Sequence, residues 1–522
     1  MTRIQIHHII YIFLLFALAA AIPVSNFAMS AAGIFLAANW VAEWNWREKW
    51  QRLRDNKLAF ILASFFVFFL FGLFRTDNWN EGLDNVLSKL PMLYAPLILA
   101  STAPPSGREQ RIIISGFVAS TFVGTCIALA CVIAHPVEDF RAISMFISHI
   151  RFGFSVILAT LFSCLFALKS ENAPKWLRVV CICLALWFVG YVFVAQTFTA
   201  ILLLLVITVV ALFYLLYAEK EMRLRKFLLP AMAVAILGLA GYVSYITWAY
   251  FHYDYNTRLE SYTERGNVYT HDVASIVENG SPIGIYVCED ELRAAWTQRS
   301  AVAYDSVEPT LVRYLNSKHL RKDSVGVSML TEQDIDNVEH LIANVDYTQF
   351  IGVKRALYPT FFSISLYKRT HQVHNSSLLQ RVALWHSAIL VVSEHWLAGV
   401  GIGDHKAVLN EKLQTLSPDM PLNMGAHNQF LTLWIMGGAL FPLAFLFILF
   451  VPFFIRKHRV AVLYVLFFIM IFLSCFAEDT IETQAGITFY TFFNAFFIFC
   501  FDREQFLDWD NNFVTKKYKH EN

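Results

Sequence analysis

Residues 381–428, RVALWHSAILVVSEHWLAGVGIGDHKAVLNEKLQTLSPDMPLNMGAHN, gather most of the side chains in this chain that could do chemistry. The stretch opens on Arg381 and holds Trp385, His386, His395 and His405. It turns through Gly399, Gly401 and Gly403 to Asp404 and closes on His427 and Asn428, where a long apolar run begins. An imidazole titrates near neutral pH and can take a proton from a hydroxyl, although a lone histidine at the start of an apolar run is more often only interfacial. A guanidinium stays charged and grips phosphate or carboxylate through two parallel bonds, or it snorkels to lipid headgroups. Alternating glycines can cradle phosphate, but no strand precedes these, and a tight turn is the plainer reading. Asp404 stands where it can cap a short helix over about 404–415. A second arginine, Arg151 in FISHIRFGFSVIL, begins another apolar run, where anchoring is the ordinary role.

The elements that must position these residues follow from composition. The chain has 522 residues, of which 57% are hydrophobic and 16% charged, with a mean hydropathy of +0.50. Soluble domains carry about a quarter charged residues, so the chain reads as an all-α polytopic membrane protein with a polar insert. Crossing about 30 Å of hydrocarbon takes roughly 17–25 apolar residues. Such segments fall near 8–24, 27–44, 58–74, 90–104, 112–134, 152–168, 179–196, 199–217, 227–248, 429–455, 460–477 and 485–501, twelve in all. The fourth is short and proline-rich. The first looks like a signal peptide without a clean cleavage site and is read as an uncleaved span.

Lys and Arg concentrate in alternate connections: WREKWQRLRDNK, SGREQR, KSENAPKWLR, EKEMRLRK, RKHR and the tail KKYKH. The others, such as HPVEDF and AEDTIETQ, are acidic or mixed. The positive-inside rule then puts both termini in the cytoplasm and the large insert outside, in the periplasm of a bacterium, with the chain in the inner membrane. The expected domains are spans one to nine over 1–248, a periplasmic insert over 249–428, spans ten to twelve over 429–501 and a cytoplasmic tail over 502–522. In the insert, GIYVC is strand-like, and Thr331-Glu-Gln-Asp334 reads as a capping box opening a helix. A helix from about 378 is expected along the outer membrane surface. Seven of the eight cysteines lie in apolar runs, and Cys288 is alone in the insert, so no intrachain bridge is expected.

The pattern Arg381-x3-Trp385, HWLAGVGIGD over 395–404, and His427-Asn428-Gln429-Phe430-Leu431 leading to Gly437-Gly438 resembles the O-antigen ligase family. That family includes Wzy-type polymerases and O-linked protein glycosyltransferases. One large outside loop before the last three spans is also its layout. The stretches YTERGNVYTHD and YVCEDELRAAW resemble the form found in Bacteroidetes members. This chain departs from the pattern at Trp396, where a Pro is usual, and at Phe198, where an Arg is often found.

The resemblance implies transfer of a glycan from undecaprenyl diphosphate to an acceptor hydroxyl, here a lipid A-core sugar, with inversion. It implies that Arg381 and Arg151 bind the diphosphate and that His427 is the general base. Asn428, Trp385, Gly401 and Asp404 would support them. With arginines neutralising the diphosphate, no metal or other cofactor is expected. The expected partners are the lipid-linked donor, a glycan acceptor and membrane lipids, with no nucleic acid. A polymerase or a protein O-oligosaccharyltransferase would share this chemistry. A transporter would line its spans with charges, and these spans have almost none. Glu394, Glu478 and Asp479 read as solvated surface, and Tyr269, His271 and Asp272 as part of an acceptor cleft.

Overall fold

The computed structural model describes residues 2–134, 147–170, 172–195, 198–218, 222–256, 258–348, 353–371, 373, 376–455 and 461–509. The runs HPVEDF and RKHR, the KKYKH tail and the Phe198 side chain lie outside the described residues. Two compact units form: Met1–Leu212 with Ala383–Asn522, and Phe213–Val382.

The first unit opens with α1 (Arg3–Ala21), started by a capping box. The Gln5 N–H reaches the Thr2 hydroxyl at 3.3 Å and the Thr2 N–H reaches the Gln5 side chain at 2.9 Å. It continues through α2 (Asn26–Ala42), α3 (Trp46–Asp55), α4 (Leu58–Gly72), α5 (Trp79–Ser88), α6 (Leu90–Ser101), α7 (Gly107–Ala134), α8 (His149–Lys169), α9 (Lys175–Val194) and α10 (Phe198–Ala218).

The second unit contains α11 (Met222–Phe251), strands β1 (Thr270–Glu278) and β2 (Ser281–Val287), α12 (Glu289–Arg299), α13 (Tyr304–Ser317), α14 (Ser324–Ser328), α15 (Glu332–Glu339) and α16 (Val353–Thr370). β1 and β2 pair antiparallel, Glu278 opposite Ser281 and Thr270 opposite Val287, so the chain is mostly helical rather than strictly all-α. The capping box at Thr331 opens α15 as its sequence indicates. Trp296, Leu311, Tyr314 and Leu315 form this unit's core. The buried Glu278 carboxylate is held by both arms of Arg313 at 2.9 Å. Tyr269 bonds to Asp323, and His271 to the Glu260 carbonyl and the Tyr286 N–H, so two of the three residues read as cleft-lining hold the hairpin in place.

Helix α17 (Ser377–Glu394) leads back into the first unit, followed by α18 (His405–Leu416), α19 (Gln429–Gly437), α20 (Leu440–Ile455), α21 (Val462–Ala477), α22 (Gln484–Ala495), a π turn over Phe496–Cys500, and α23 (Arg503–Leu507). α18 lies where the short helix after the glycine turn is expected.

Five helices, Arg3–Ala21, Leu58–Arg75, Gly107–Cys131, His149–Lys169 and Lys175–Val194, are long and apolar enough to cross a membrane by length and composition. Six shorter apolar helices accompany them: Asn26–Ala42, Thr199–Tyr214, Ile236–Phe251, Leu440–Ile455, Val462–Ala477 and Gln484–Cys500. Together they overlie every apolar segment read from the sequence except 90–104. There, α6 has 12 residues and reaches only about 18 Å, well short of the hydrocarbon thickness, and it packs its proline-rich face into the bundle. The segment 429–455 is also not one continuous span. α19 stops where Gly438 turns to φ +68°, and α20 restarts at Leu440. A side chain at Gly438 would collide with the Leu397 carbonyl, so only glycine fits that break. Leu15, Phe65, Phe69, Phe117, Phe162 and Phe445 fill a shared core, while Phe13, Phe71, Leu186 and Phe454 point outward, exposed. Helices apolar on both inner and outer faces suit a lipid surround.

Candidate functional site

The loop between α21 and α22, Glu478-Asp-Thr-Ile-Glu-Thr483, organises the polar centre of the first unit. Its carboxylates lie inside, not on the solvated surface expected of them: Glu478 is 3% exposed and Asp479 9%. Buried carboxylates need partners, and helices far apart in sequence supply them.

Asp479 receives the Thr432 hydroxyl on Oδ1 at 2.6 Å and the His427 backbone N–H on Oδ2 at 3.0 Å. Burial pushes its carboxyl above the usual range, against the pull of Thr432, His427 and the His427 N–H. The Asp479 carbonyl accepts from Arg151 Nη2 at 2.9 Å. Arg151 thus enters the centre from the first turn of α8, with its Nε buried and unpartnered and packed beside Gly486.

Glu478 faces the imidazole of His427, Oε2 to Nδ1, at 3.3 Å. Opposite an ionised carboxylate, which only accepts, Nδ1 is the donor, and in the neutral ring Nε2 is then the acceptor. His427 itself holds a left-handed backbone, φ +48°, a conformation uncommon outside glycine and enriched at functional positions. Three bonds fix it: its own N–H to Asp479, the Trp385 indole N–H to its carbonyl at 3.4 Å, and the Glu478 contact. Asn428 caps α19, its side-chain oxygen accepting from Phe430 and Leu431 N–H at 3.1 and 3.2 Å. Its amide goes to the Phe476 carbonyl. It therefore fixes the start of α19 and bonds to neither the ring nor the loop carboxylates.

Behind this dyad lies a second layer. Lys89, fully buried between α5 and α6, pairs with Glu482 at 3.0 Å, and the Gln429 amide reaches the other oxygen at 2.6 Å. Burial alone would raise the Glu482 carboxyl, but the Lys89 charge and these bonds hold it below the usual range. His405 is buried at the start of α18, Nδ1 on the Ile402 carbonyl at 2.9 Å. Burial brings its pKa down to about 4, so the ring is neutral at physiological pH.

The glycine turn is a packing joint. The amides of Gly399, Val400, Gly401 and Gly403 donate to His395 O, Ile435 O, Met436 O and the Thr76 hydroxyl, at 2.8–3.0 Å. None of these four is left to cradle a phosphate. Side chains at Gly399, φ +65°, and Gly401, φ +106°, would strike the end of α19 and the loop at Arg75. Asp404 does not cap α18 through its side chain. Its carboxylate instead binds the Thr76 hydroxyl at 2.7 Å and the Asp77 and Asn78 N–H groups at 2.8 and 3.1 Å. The competing loop offers three donors, which outbid the single cap.

The structure therefore gathers His427, Asn428, Trp385 and Arg151 around one loop and puts Gly401 and Asp404 in the joint beside it. Arg381, half-buried on α17, belongs to the second unit. His386 and His395 are exposed, and Glu394 pairs with Lys412 at the surface. Glu478, Asp479, Glu482, Lys89, Gln429 and Thr432 were not legible as site residues. Their one signal is three carboxylates within six residues between two apolar helices. Among the described residues no group of three His, Cys, Asp or Glu side chains could hold a metal ion.

The family model described as O-Antigen ligase matches residues 348–440, the stretch from α16 to the start of α20 that contains Arg381 and His427. No curated protein matches the chain.

Proposed function

We propose, because the chain carries an O-antigen ligase family segment, that it transfers a preassembled polysaccharide from undecaprenyl diphosphate to a sugar hydroxyl of lipid A-core at the periplasmic face of a bacterial inner membrane. The observation that carries this reading is His427, inside the matched segment, with Nδ1 3.3 Å from the buried Glu478 carboxylate.

In the reaction the acceptor oxygen attacks the anomeric carbon, His427 Nε2 takes its proton, and the C–O bond to the diphosphate breaks with inversion. Glu478 stabilises the imidazolium that forms. The leaving diphosphate carries about two negative charges or more. Arg381 and Arg151 neutralise it, since guanidinium forks keep their charge beside a membrane. The Asp479 carbonyl holds one arm of Arg151 in place. The cytoplasmic termini and the outside insert read from the sequence belong to this proposal.

Deletion of the gene, followed by analysis of surface lipopolysaccharide and carrier-linked glycan, tests it. A ligase loss leaves polymer accumulating on the carrier, and a polymerase loss leaves one repeat on the core. Unchanged lipopolysaccharide would overturn both and direct the search to protein acceptors. Arg381→Ala, Arg151→Ala and His427→Ala are each expected to abolish attachment at normal membrane levels.

A further inference from the structure

The first unit also holds a cavity of about 580 Å³ bounded by the start of α1, the junction of α2 with α3, and the C-terminal end of α6. Its volume suits a small ligand or a lipid headgroup. The charges around it come in both signs. Lys49, 3% exposed, pairs with Glu43 at 2.8 Å, and Arg52 pairs with Glu48 at 2.6 Å. The hydroxyl of Thr102, which also lines the cavity, is buried without a hydrogen-bond partner, a state that costs free energy unless something fills it. Thr102 stands at the C-terminus of α6, the end where a helix dipole favours a cation.

Trp44, Trp46 and Trp50 crowd this end of the bundle, 68%, 39% and 58% exposed, as indole rings do at headgroup level. Ile4 and Ile9 on the cavity wall are exposed as well. A lone anion or a lone cation would break one of the two ion pairs to bind. A zwitterion extends both, its phosphate joining Arg52 and its ammonium joining Glu48 and the end of α6. The carboxylates call for N–H donors, which a primary ammonium supplies and a trimethylammonium does not, and the orphan Thr102 hydroxyl, able to donate as well as accept, takes a bond from the same ammonium.

We propose that this cavity is a headgroup site for a zwitterionic aminophospholipid of the surrounding bilayer. The full chain is purified, stripped of lipid in detergent and titrated with phosphatidylethanolamine, phosphatidylcholine and phosphatidylglycerol. Bound lipid is counted by native mass spectrometry and thermal unfolding is followed in parallel. Phosphatidylethanolamine should bind about tenfold or more tightly than either other lipid and should alone raise the unfolding temperature. Thr102→Val, nearly isosteric, and Glu48→Gln, at a half-exposed position, should each erase most of that preference while leaving the unfolding temperature of the lipid-free protein unchanged. Equal binding of phosphatidylcholine overturns the requirement for N–H donors, and equal binding of phosphatidylglycerol overturns recognition of the amine. A preference that survives both substitutions overturns the site.

Discussion

Replacing Glu478 by Gln tests the proposed chemistry most directly. The side chain is almost fully buried and its oxygen lies 3.3 Å from His427 Nδ1, so water cannot take its place. Gln keeps the volume but offers an N–H₂ group. Turned toward the ring, that group makes Nδ1 an acceptor and moves the imidazole proton to Nε2, the atom that must receive the acceptor proton. Turned away, it leaves the imidazolium without its counter-charge. A positioned base contributes about 10²- to 10⁴-fold, and a tautomer-fixing carboxylate in a hydrolytic triad contributes about 10⁴-fold. The expected fall in kcat is therefore about 10²- to 10⁴-fold, or about 3–5 kcal/mol in the barrier. The assay is transfer of purified undecaprenyl-diphosphate glycan to lipid A-core in nanodiscs, with kcat and KM measured separately. KM for the donor should change little, because Glu478 touches no diphosphate in this scheme. Glu478→Gln activity within threefold of wild type, with intact folding, would refute the dyad.

Three further outcomes follow from the same centre. Lys89→Met leaves Glu482 buried without its cation and should cost roughly 3–5 kcal/mol, read as thermal unfolding in detergent. Adding Glu482→Gln should recover most of the loss. His405, held at about 4 by burial against an ordinary 6.5, binds a proton more readily when unfolded. Its contribution is fully present above about pH 6.5 and is lost as pH falls toward 4, to a ceiling of about 3 kcal/mol. His405→Asn should flatten that limb of the stability profile. Gly425→Ala places a methyl group against Asp479 Oδ2, the oxygen that holds the His427 N–H. Folding should survive while transfer drops tenfold or more, since small misplacements of reacting groups are costly.

Local pattern was enough to read the apolar helices, the capping box at Thr331 and the segment from Arg381 to Gly438, because each is written in contiguous residues. The buried loop was not readable that way. AEDTIETQ looks hydrophilic, and what makes Glu482 an interior group is Lys89, 393 residues away in sequence. Asp404 has the sequence of a helix cap, yet three donors of a distant loop outcompete that role. The break at Gly438 hides inside an unbroken apolar run, because glycine there signals a backbone angle and not a change in polarity. α6 likewise counts as a span by hydropathy and as an interior helix by length.

The left-handed backbone at His427 limits what evolution or an experimenter can put there. A β-branched or bulky residue would strain the peptide as well as lose the ring, and alanine changes both properties at once. Asparagine tolerates this conformation and carries no base, so His427→Asn separates the imidazole from the fold that presents it. The position is in effect a choice among glycine, asparagine, aspartate and histidine, and of these only histidine can take up a proton at neutral pH without first being buried or paired.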